Sequence, residues 1–590
     1  MGTKYELRKP PAQVEISQER ISQVAAEVGT YPVLVYALLN RGFSEKQIHD
    51  IMISEFPGDA LMKTPLVEAD SAADRIIKAL KSNERIGIFA DYDCDGITSG
   101  FVMSWGLYAI KSALKSHSYI HLHYPQREDG YGLSSAFCES MKDKLDLIIT
   151  VDNGIATREQ EEILEGYGID LIVTDHHEPN DATLPALQKT IIVDPCYNDT
   201  GRSYLAGVAV AYNIVLTAAR KVGISLNRGI FLPAVMLGTI SDCMPMSYEN
   251  ACYIKAGLEF LNNNDKYAKF YLDVFYDSYN KKVKLPPVIT PKDISFTIAP
   301  KVNSASRMGD TNLAAKALCF GIQNKKETLD LAKALTELND KRKDETKEIS
   351  DSVVSKLKLE DGQRLVTYDG SSYSKGLLGI IASKITNRFP DYPAYVYSEK
   401  DGVLDGSARC DNEAIDCMDM FRQLKTEGII EMCAGHSSAC VVKLKKENLP
   451  AFVSKFSELY DSMDIPEVVK AVDACTSLSA LTNDFLDKVS EIPFTTQEMP
   501  TFVIPNVFIN RTKAMGKQKQ HIELTLADNT AVKKVNWWNM AQHYEDIGSP
   551  KQVHLVCSVQ QDFRSDKPCA TIDIIDMVPV KQEKEDAHAA

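Results

Sequence analysis

The stretch Ile86-Gly-Ile-Phe-Ala-Asp-Tyr-Asp-Cys-Asp-Gly96 joins a short apolar run to three aspartates at every second position. Three later apolar runs also lead into polar side chains: Leu147–Val151 before Asp152, Leu171–Thr174 before Asp175-His-His177, and Ile191–Val193 before Asp194. Runs that are apolar throughout and alternate with helical stretches are typical of parallel strands covered by helices on both faces. Ligands bind at the carboxyl ends of such strands. We therefore predict an α/β domain with a functional site at that edge of a parallel sheet.

The predicted edge of the sheet concentrates negative charge. The side chains expected there are Asp91, Asp93, Asp95, Asp152 and His176, with Asp242 from the end of an apolar helical run. Carboxylates so close together repel one another unless a cation lies among them. Oxygen ligands with one imidazole suit Mn²⁺ or Mg²⁺ better than zinc. More than four ligands favour two ions, about 3.5–4 Å apart, as in enzymes that activate water to attack a phosphodiester. A single strand-end aspartate is usually a turn residue, and we interpret Asp194 in that way.

The chain divides into regions of different pattern. In order, we predict an N-terminal extension (1–70) that packs on the domain after it, the first α/β domain (71–325), a charged connecting helix (326–360), a second α/β domain (361–460), a mostly helical connector (461–494), an all-β region (495–580) and a disordered tail (581–590). We interpret the charged stretch Asp340–Glu345 as a solvated part of the connecting helix. The short strands of the all-β region suit a small barrel of the oligonucleotide-binding kind.

Composition limits the classes of function. The 590 residues are 44% hydrophobic and 25% charged, which fits a soluble protein of several domains and excludes fibrous or disordered chains. No apolar run reaches the 18–20 residues, roughly, of a membrane span. Thirteen cysteines without dense spacing fit a reducing cytosol, so we expect a cytoplasmic protein. The net charge of −15 argues against a nucleic-acid partner on average, but residues 501–540 carry 6 Lys+Arg against 2 Asp+Glu.

Several longer motifs follow one another in a specific order. They are Ala90–Ser99, Pro125-Gln-Arg127 with Gly130-Tyr-Gly-Leu133, Val151-Asp-Asn-Gly-Ile155, Asp175-His-His177, Leu205–Ala209, Leu237–Asp242, and Pro300-Lys-Val-Asn303 leading to Arg307. This order resembles the DHH phosphoesterase superfamily and, within it, the RecJ family of single-strand-specific exonucleases. The motifs Gly376–Ser383, Gly406–Arg409 and Ala434–His436 resemble the associated DHHA1 domain, and the region around Pro505–Val507 and His521–Leu524 resembles the nucleic-acid-binding barrel of that family.

The resemblance implies a fold and an activity. The first α/β domain would be a DHH domain, the second a DHHA1 domain and the barrel an OB-fold. The activity would be metal-dependent hydrolysis of single-stranded DNA from 5′ to 3′, which releases nucleotide 5′-monophosphates in recombination and repair. A single-strand-binding protein and a helicase are the partners that the family suggests, and we expect a monomer.

The resemblance also assigns roles to residues. Asp91, Asp93, Asp95, Asp152, His176 and Asp242 would hold two Mn²⁺ or Mg²⁺ ions, and a metal-bound water would be the nucleophile. His177 would contact the scissile phosphate, and Asp175 would orient its neighbours. The substrate-binding residues would be Arg127, Arg307, Arg409, Gly435, His436, Tyr373 and Ser374, with Arg511, Lys513 and Lys517 on the barrel. The chain departs from the family at Tyr373-Ser374, where Trp-His is usual, at Ala434 in place of Gly, and at Ser304 and Ser306 in place of Ala and Gly.

Two alternative functions remain open from the sequence. The first is a DHH phosphodiesterase that acts on short oligonucleotides or cyclic dinucleotides, and the barrel argues against it because such substrates need no extended surface. The second is a non-catalytic replication scaffold, and the complete set of potential ligands argues against that class. Stacking on Tyr131 or Tyr373 would make binding independent of base sequence, although we expect Tyr131 to serve packing.

Overall fold

The computed structural model describes residues 4–9, 17–53, 64–180, 182–263, 269–276, 286, 288–321, 325–352, 354, 357, 362–389, 392–412, 414–463, 469–517, 519–562 and 569–580. The chain forms two compact units. The terminal unit combines Met1–Gly58, Met246–Lys255 and Val469–Ala590, and the central unit combines Asp59–Pro245 with Ala256–Val468. The predicted tail lies outside the described residues.

The strands fall into four sheets. Their bounds are β1 Lys4–Leu7, β2 Ile86–Ala90, β3 Ile120–His123, β4 Leu147–Val151, β5 Asp170–Thr174, β6 Ile191–Val193, β7 Val366–Asp369, β8 Ala394–Lys400, β9 Val403–Arg409, β10 Met432–His436, β11 Ala439–Lys445, β12 Val469–Val472, β13 Ala474–Cys475, β14 Phe502–Met515, β15 His521–Ala527, β16 Val532–Trp537, β17 Gln552–Asp562 and β18 Cys569–Pro579.

Helices connect the strands and cover the sheets. Their bounds are α1 Gln18–Val28, α2 Pro32–Asn40, α3 Glu45–Met52, α4 Ala69–Lys81, α5 Cys94–Leu114, α6 Ser135–Ser140, α7 Arg158–Gly166, α8 Pro195–Asn198, α9 Gly207–Val222, α10 Arg228–Ser241, α11 Tyr248–Asn262, α12 Lys269–Phe275, α13 Pro291–Asp293, α14 Ala299–Arg307, α15 Thr311–Gly321, α16 Lys325–Ser352, α17 Lys375–Arg388, α18 Cys417–Thr426, α19 Leu449–Ser462, α20 Asn483–Glu491 and α21 Ala541–Asp546. Short 3₁₀ turns lie at Arg127–Asp129, Thr200–Arg202 and Lys446–Asn448, and a π-helical stretch, Ile294–Ile298, joins α13 to α14.

The first sheet of the central unit is parallel throughout, as the sequence predicts. Its strand order is β3-β2-β4-β5-β6, so the polar segments that follow β2, β4 and β5 come to neighbouring positions at one edge. Every residue of β2 and β4 is buried. Continuous apolar strands need cover on both faces, which explains why they do not alternate with polar residues.

A long helix and a second sheet complete the central unit. Helix α16 confirms the predicted charged helix over its described residues, and Ala332 and Leu335 are buried on one side of it. The second sheet has the order β10-β11-β9-β8-β7, in which only the β7–β8 pair is parallel. Gly376, at the start of α17, approaches α14 so closely that a Cβ there would lie 2.3 Å from the carbonyl oxygen of Arg307. The two α/β regions therefore pack tightly against each other at this glycine.

The terminal unit contains the predicted barrel-like region. Its curled antiparallel sheet has the order β16-β15-β14-β17-β18. Alternate residues of β15, which are Ile522, Leu524 and Leu526, are buried, while the residues between them are partly exposed. This period of two is the pattern of a sheet with one face on the core and one face towards solvent.

Our expectation for residues 1–70 is wrong in one respect. We expected them to pack on the domain after them, but α1, α2 and α3 share a hydrophobic core with the C-terminal barrel. Strand β1 also pairs in parallel with β12, so the two ends of the chain form one unit. Proximity in sequence does not determine the packing partner of an amphipathic helix, because its apolar face can pack on a larger apolar surface formed by distant residues.

The predicted helical connector is also corrected. Residues 461–494 contain helix α20, but the described part also contains the strands β12 and β13. Strand β13 pairs with β14 of the barrel, so this segment is an integral part of the terminal unit. Among the described residues, no helix is long and apolar enough to cross a membrane.

A buried carboxylate joins the two ends of the chain. Asp473 is 0% exposed, and its two oxygens accept hydrogen bonds from Arg41 at 2.9 and 2.7 Å. It also accepts from the backbone N–H of Thr501 at 2.9 Å. The side chain of Arg41 is only 6% exposed.

We expect Asp473→Ala to destabilise the terminal unit by about 3 kcal/mol, because it removes the buried carboxylate of Arg41 and leaves that guanidinium, among the described residues, only the half-buried Glu498, at 3.2 Å, as an anionic partner. Urea unfolding followed by tryptophan fluorescence measures this, since Trp537 and Trp538 lie in that unit. Glu491→Ala, which removes an exposed ion pair with Lys488, should cost less than about 1 kcal/mol. Equal losses in the two variants would contradict this account of the joint.

Candidate active site

The strand ends of the central unit bring together the predicted acidic and imidazole side chains. Ligand-capable atoms lie within 4.8 Å of one another in three groups, which are Asp91–Asp93–Asp152, Asp95–His176–Asp242 and Asp152–His176–His177. Asp91, Asp152 and the Asp175–His177 segment follow β2, β4 and β5 directly, and Asp242 caps the C-terminal end of α10. All six residues expected to hold metal therefore meet at one edge of the sheet.

His176 lies at the centre of this set. Its Nε2 atom is 3.0 Å from Asp152 Oδ1 and 3.7 Å from both Asp95 Oδ2 and Asp242 Oδ2. Its side chain is 7% exposed. A single imidazole among carboxylate oxygens is the donor set that suits Mn²⁺ or Mg²⁺.

Two of the buried carboxylates have unsatisfied oxygens. Asp91 is 4% exposed, and its Oδ1 accepts no hydrogen bond from the described residues. Asp152 is 2% exposed, and its Oδ1 has the 3.0 Å contact with His176 Nε2 but no well-directed hydrogen bond from the described residues. A buried charged oxygen without a partner is costly. These orphaned oxygens point to divalent cations as the groups that complete the site.

Burial and mutual repulsion shift the acidity of the set. Burial, and then the neighbouring Asp93, raise the pKa of Asp91 to about 8 and that of Asp95 to about 7. Burial, and then Asp95, hold the pKa values of Asp152 and Asp242 well above the ordinary range. The set is therefore unfavourable as four anions, and bound cations would restore the charged forms.

Asp95 differs from the other carboxylates because protein donors already hold it. Its Oδ2 accepts from the N–H of Gly207 at 2.7 Å, and its Oδ1 accepts from the N–H of Val208 at 3.0 Å. These two groups begin helix α9, where free N–H groups and the helix dipole favour a negative charge. Asp95 therefore fixes the position of α9 beside the site in addition to facing His176.

Asp175 fixes the two histidines. It is 0% exposed, and its Oδ1 accepts from the N–H of His176 at 2.8 Å and from His177 Nδ1 at 2.7 Å. Its Oδ2 accepts from the N–H of Ile155 at 2.9 Å. Burial disfavours a charge on His177, but Asp175 outweighs it and raises the pKa of His177 to about 10. Asp175 therefore orients His177 and favours its charged form.

Tyr131 lies at the rim of the site, beside His177. The residue is 52% exposed, and its hydroxyl is 3.0 Å from His177 Nδ1. Of the core and rim positions expected for Tyr131, the structure shows the rim position, in contact with a site residue.

Glycines make room for the carboxylates. A Cβ on Gly207 would lie 2.5 Å from Asp152 Oδ1, and one on Gly238 would lie 2.5 Å from Asp95 Oδ1. A Cβ on Gly96 would lie 2.5 Å from the backbone of Asp91. Asp152 itself has φ 61°, a left-handed conformation that Asp and Asn adopt more readily than most residues. Sequence reasoning missed the roles of Gly207 and Gly238, although both lie within the quoted motifs.

Three arginines of the central unit form a second, cationic set. Burial, and then Arg127 and Arg409, lower the pKa of Arg307 to about 9. Arg307 donates to the carbonyl oxygen of Gly376 at 3.0 Å, and Arg409 donates to that of Ala408 at 2.7 Å. The Nε atom of Arg127 is buried and has no hydrogen-bond partner among the described residues. Guanidinium groups held by carbonyls rather than by carboxylates keep their charge available for an anion.

A fourth arginine corrects the interpretation of the connecting helix. Arg342 lies in the stretch that we predicted to be solvated, but burial lowers its pKa, and its charge also lowers that of Arg307. Asn339 Oδ1 accepts from its Nε at 3.1 Å and from its terminal nitrogen at 3.0 Å. Sequence reasoning did not predict the partial burial of Arg342, because its neighbours along α16 are mostly charged.

The remaining residues expected to bind substrate in the second α/β domain lie in different surroundings. Ser374 donates from its hydroxyl to the carbonyl oxygen of Arg307 at 3.2 Å, so it lies beside the cationic set. Tyr373 is half-buried and packs against the core of that lobe. Gly435 has φ 123° in the hairpin β10–β11. The side chain of His436 lies outside the described residues.

In the terminal unit, three strands present an outward face with positive charge. Strand register places Arg511, Thr525 and Lys534 in one row, and Lys513, Glu523 and Asn536 in the next. Arg511, Lys513 and Lys534 are exposed, and Lys517 is exposed in the turn that follows β14. The exposed apolar side chains Phe508, Val532 and Trp538 lie on the same three strands or at their ends.

Two residues near this face are structural. Trp537 is 4% exposed and belongs to the core of the unit. Lys533 donates to the carbonyl oxygen of Leu481. The basic stretch in the sequence therefore supplies fewer free cations than its count suggests.

Comparisons with known proteins agree with this architecture. The model of the DHH family, N-terminal domain, matches residues 85–239, which contain the acidic strand ends. The fold and this match place the chain in the DHH family. The model of the RecJ OB domain matches residues 472–574, which contain the barrel.

The relatives identify the branch of that family. The single-stranded-DNA-specific exonuclease RecJ of Salmonella typhimurium is 30% identical over 413 residues, which is 66% of this chain and 68% of that protein. The protein of the same name from Bacillus subtilis is 25% identical over 572 residues, which is 94% of this chain and 68% of that protein. The chain belongs to the RecJ family.

A solved structure shares the fold. The crystal structure of RecJ in complex with Mn²⁺ from Thermus thermophilus superposes with a TM-score of 0.75 at 20% identity, covering 98% of this chain and 80% of that chain. The predicted fold class and family are therefore confirmed, whereas the domain boundaries and the roles of single residues stay predictions.

We expect Mn²⁺ to stabilise the protein, by about 2.7 kcal/mol at a hundredfold excess over its dissociation constant. Asp152→Asn should raise the stability of the metal-free protein, because it removes a buried charge, and should lose most of the stabilisation by Mn²⁺. Asparagine is chosen because it tolerates the left-handed backbone at this position.

Asp194→Asn is the matched control for that thermal-unfolding experiment. Asp194 is also a buried strand-end carboxylate with an unsatisfied oxygen, but it lies outside the three groups. The control should keep the full response to Mn²⁺. A full response in Asp152→Asn would remove this residue from the metal centre.

Proposed function

We propose that this chain is a metal-dependent exonuclease that degrades single-stranded DNA. One observation carries the proposal: orphaned carboxylate oxygens and uncompensated guanidinium groups lie in one compact unit without neutralising each other. These two sets suit a phosphodiester substrate. Divalent cations would bind the carboxylates, and phosphate oxygens would bind the arginines. The relatives named as single-stranded-DNA-specific exonucleases support the same substrate.

The acidic groups would hold two divalent ions. Asp91, Asp93 and Asp152 would contribute to one position, and Asp95, His176 and Asp242 to the other. When bound, Mn²⁺ or Mg²⁺ would supply Lewis acidity and lower the pKa of an attacking water. Asp91 and Asp152 are the strongest ligand candidates. Asp91 Oδ1 has no hydrogen-bond partner among the described residues, and Asp152 Oδ1 lies 3.0 Å from Nε2 of His176, which is itself an expected ligand.

His177 would bind the scissile phosphate as an imidazolium. Asp175 holds its Nδ1 side at 2.7 Å, and its other ring nitrogen lies 3.4 Å from the hydroxyl of Tyr131 at the rim of the site. A charged donor in a partly buried site binds a phosphate oxygen more strongly than a neutral one. Asp175 would thus act through His177, as an orienting residue.

The arginines would hold the phosphates that are not cleaved. Arg127, Arg307 and Arg409 can each offer paired N–H donors to phosphate oxygens, with Ser374 beside them. The backbone of Gly435 would contribute to the same surface. On the terminal unit, Arg511, Lys513 and Lys517 would bind the backbone of the strand, while exposed rings such as Trp538 would stack on bases irrespective of sequence.

The finer properties follow the family. We infer 5′-to-3′ polarity, release of nucleotide 5′-monophosphates, and a role in recombination and repair in the cytoplasm, with a single-strand-binding protein and a helicase as partners. The family resemblance supports these properties, and strand-end labelling tests the polarity.

Two alternatives are less well supported. A non-catalytic scaffold would not need to retain buried carboxylates that are unfavourable without a cation. An enzyme for dinucleotides would not need the basic outward face of the barrel.

Degradation assays test the function directly. In Mn²⁺, we expect the protein to degrade 5′-labelled single strands to a labelled mononucleotide at once, while 3′-labelled strands shorten progressively. Asp152→Asn should lower the rate more than about 100-fold, since even residues behind metal ligands typically cost about 10- to 100-fold. The Asp194→Asn control should stay within a few-fold of the parent. Equal cleavage of duplex DNA, or cleavage of dinucleotides alone, would overturn the proposal.

Salt dependence tests the barrel face separately. We expect binding of single strands to the inactive Asp152→Asn protein to weaken with salt. Arg511→Ala with Lys513→Ala should reduce the slope of log K against log[salt] by about 0.7 for each phosphate that the protein no longer neutralises. Lys488→Ala, which removes an exposed lysine paired with Glu491, should leave the slope unchanged. An unchanged slope in the double variant would assign DNA binding to another surface.

A further inference from the structure

Tyr92 adjoins both the acidic and the cationic sets of the central unit. Its neighbours in the chain, Asp91 and Asp93, are both in one of the ligand groups. Its ring lies against Arg127, whose guanidinium carbon is 4.3 Å from the ring centroid. This is the geometry of a cation–π contact.

Charges of both signs act on the Tyr92 hydroxyl. Burial and Asp91 raise the pKa of the Tyr92 hydroxyl, whereas Arg127 and Arg307 oppose that shift. Charges of both signs therefore lie near a single aromatic ring, which carries no formal charge at neutral pH.

The two sets do not pair across this ring. Among the described residues, none of the carboxylates at the strand ends lies within 4.0 Å of an arginine nitrogen. The ion-pair contacts of Asp95, Asp152 and Asp242 are with His176, and that of Asp175 is with His177. Opposite charges in a partly buried site attract strongly. Arg127 instead contacts the ring of Tyr92, which is the residue between Asp91 and Asp93 in the chain.

We propose that Tyr92 is a positioning residue that separates the metal ligands from the phosphate-binding arginines. The inference rests on the proposed function, because it names the group that keeps both halves of that site available. With a smaller, non-aromatic side chain, Arg127 would lose its cation–π partner and pair with Asp91 or Asp93. That ion pair would compete with divalent cations for the carboxylate and with phosphate for the guanidinium.

Metal affinity distinguishes this role from general packing. We expect Tyr92→Leu to weaken Mn²⁺ binding, measured by calorimetry, about tenfold or more, the size of a desolvated cation–π contact. Tyr92→Phe should bind Mn²⁺ like the parent, because it keeps the ring. The double variant Tyr92→Leu/Arg127→Gln should regain the affinity of the parent, because the competing cation is gone.

The same variants give a second readout from substrate binding. In the double variant, the KM for single strands should stay high while Mn²⁺ affinity recovers, since Arg127 is still missing. Tyr167→Leu is the matched control, because Lys142 lies 5.1 Å from that ring in the same unit, away from the site. This control should change neither quantity.

Clear outcomes would overturn the inference. Parent-like Mn²⁺ affinity in Tyr92→Leu would show that the ring does not keep Arg127 from the carboxylates. If adding Arg127→Gln to Tyr92→Leu does not restore the affinity, Tyr92 contributes only to packing. If Tyr92→Leu does not fold, parent-like affinity in a folded double variant still supports the role, and a weakened affinity in Tyr92→Phe contradicts it. Absence of nuclease activity in the parent would instead overturn the proposed function, because Mn²⁺ affinity is measured without hydrolysis.

Discussion

Repulsion among buried carboxylates is the constraint on which the central unit depends. Asp91, Asp95 and Asp152 are buried and meet the half-buried Asp242 at one sheet edge, where desolvation and mutual repulsion make their charged forms unfavourable. The fold tolerates them because the surrounding sheet and helices fix their positions and because a cation can complete the set. The start of α9 offsets part of the charge on Asp95 through two N–H donors. The same carboxylate oxygens therefore affect the stability of this unit and provide its potential metal ligands.

The sequence was sufficient to predict much of the site. Short apolar strands followed at once by aspartate leave few topologies, since parallel strands must end at a common edge. Asp91, Asp152 and His176 could therefore be expected to meet. The difference in hydrogen bonding between these carboxylates could not be predicted. Asp95 accepts from backbone N–H groups, whereas one oxygen of Asp91 has no hydrogen-bond partner among the described residues. That difference depends on where α9 lies, which no local pattern encodes.

Errors arose where long-range packing outweighed local pattern. Residues 1–70 precede the first domain in the chain, yet α1, α2 and α3 are buried against the barrel. The segment after α19 has a helical composition, but its first residues form the strands β12 and β13. Strand β12 pairs with β1, hundreds of positions earlier, and β13 pairs with β14, which follows helix α20. The charged neighbours of Arg342 suggest a solvated residue, although helix packing half-buries it. Each case requires knowledge of a partner that is distant in sequence.

The joining of both chain ends in one unit has a consequence for biosynthesis. On the ribosome, the apolar faces of α1, α2 and α3 emerge first, whereas the strands that cover them are made only after residue 469. The central unit can complete its sheets during that interval, since domains generally fold as units while synthesis continues. The N-terminal helices must wait with exposed apolar surface for the length of roughly four hundred residues, about 20–80 s at usual elongation rates. Chaperone demand during translation should therefore depend more on the length of the central unit than on its stability.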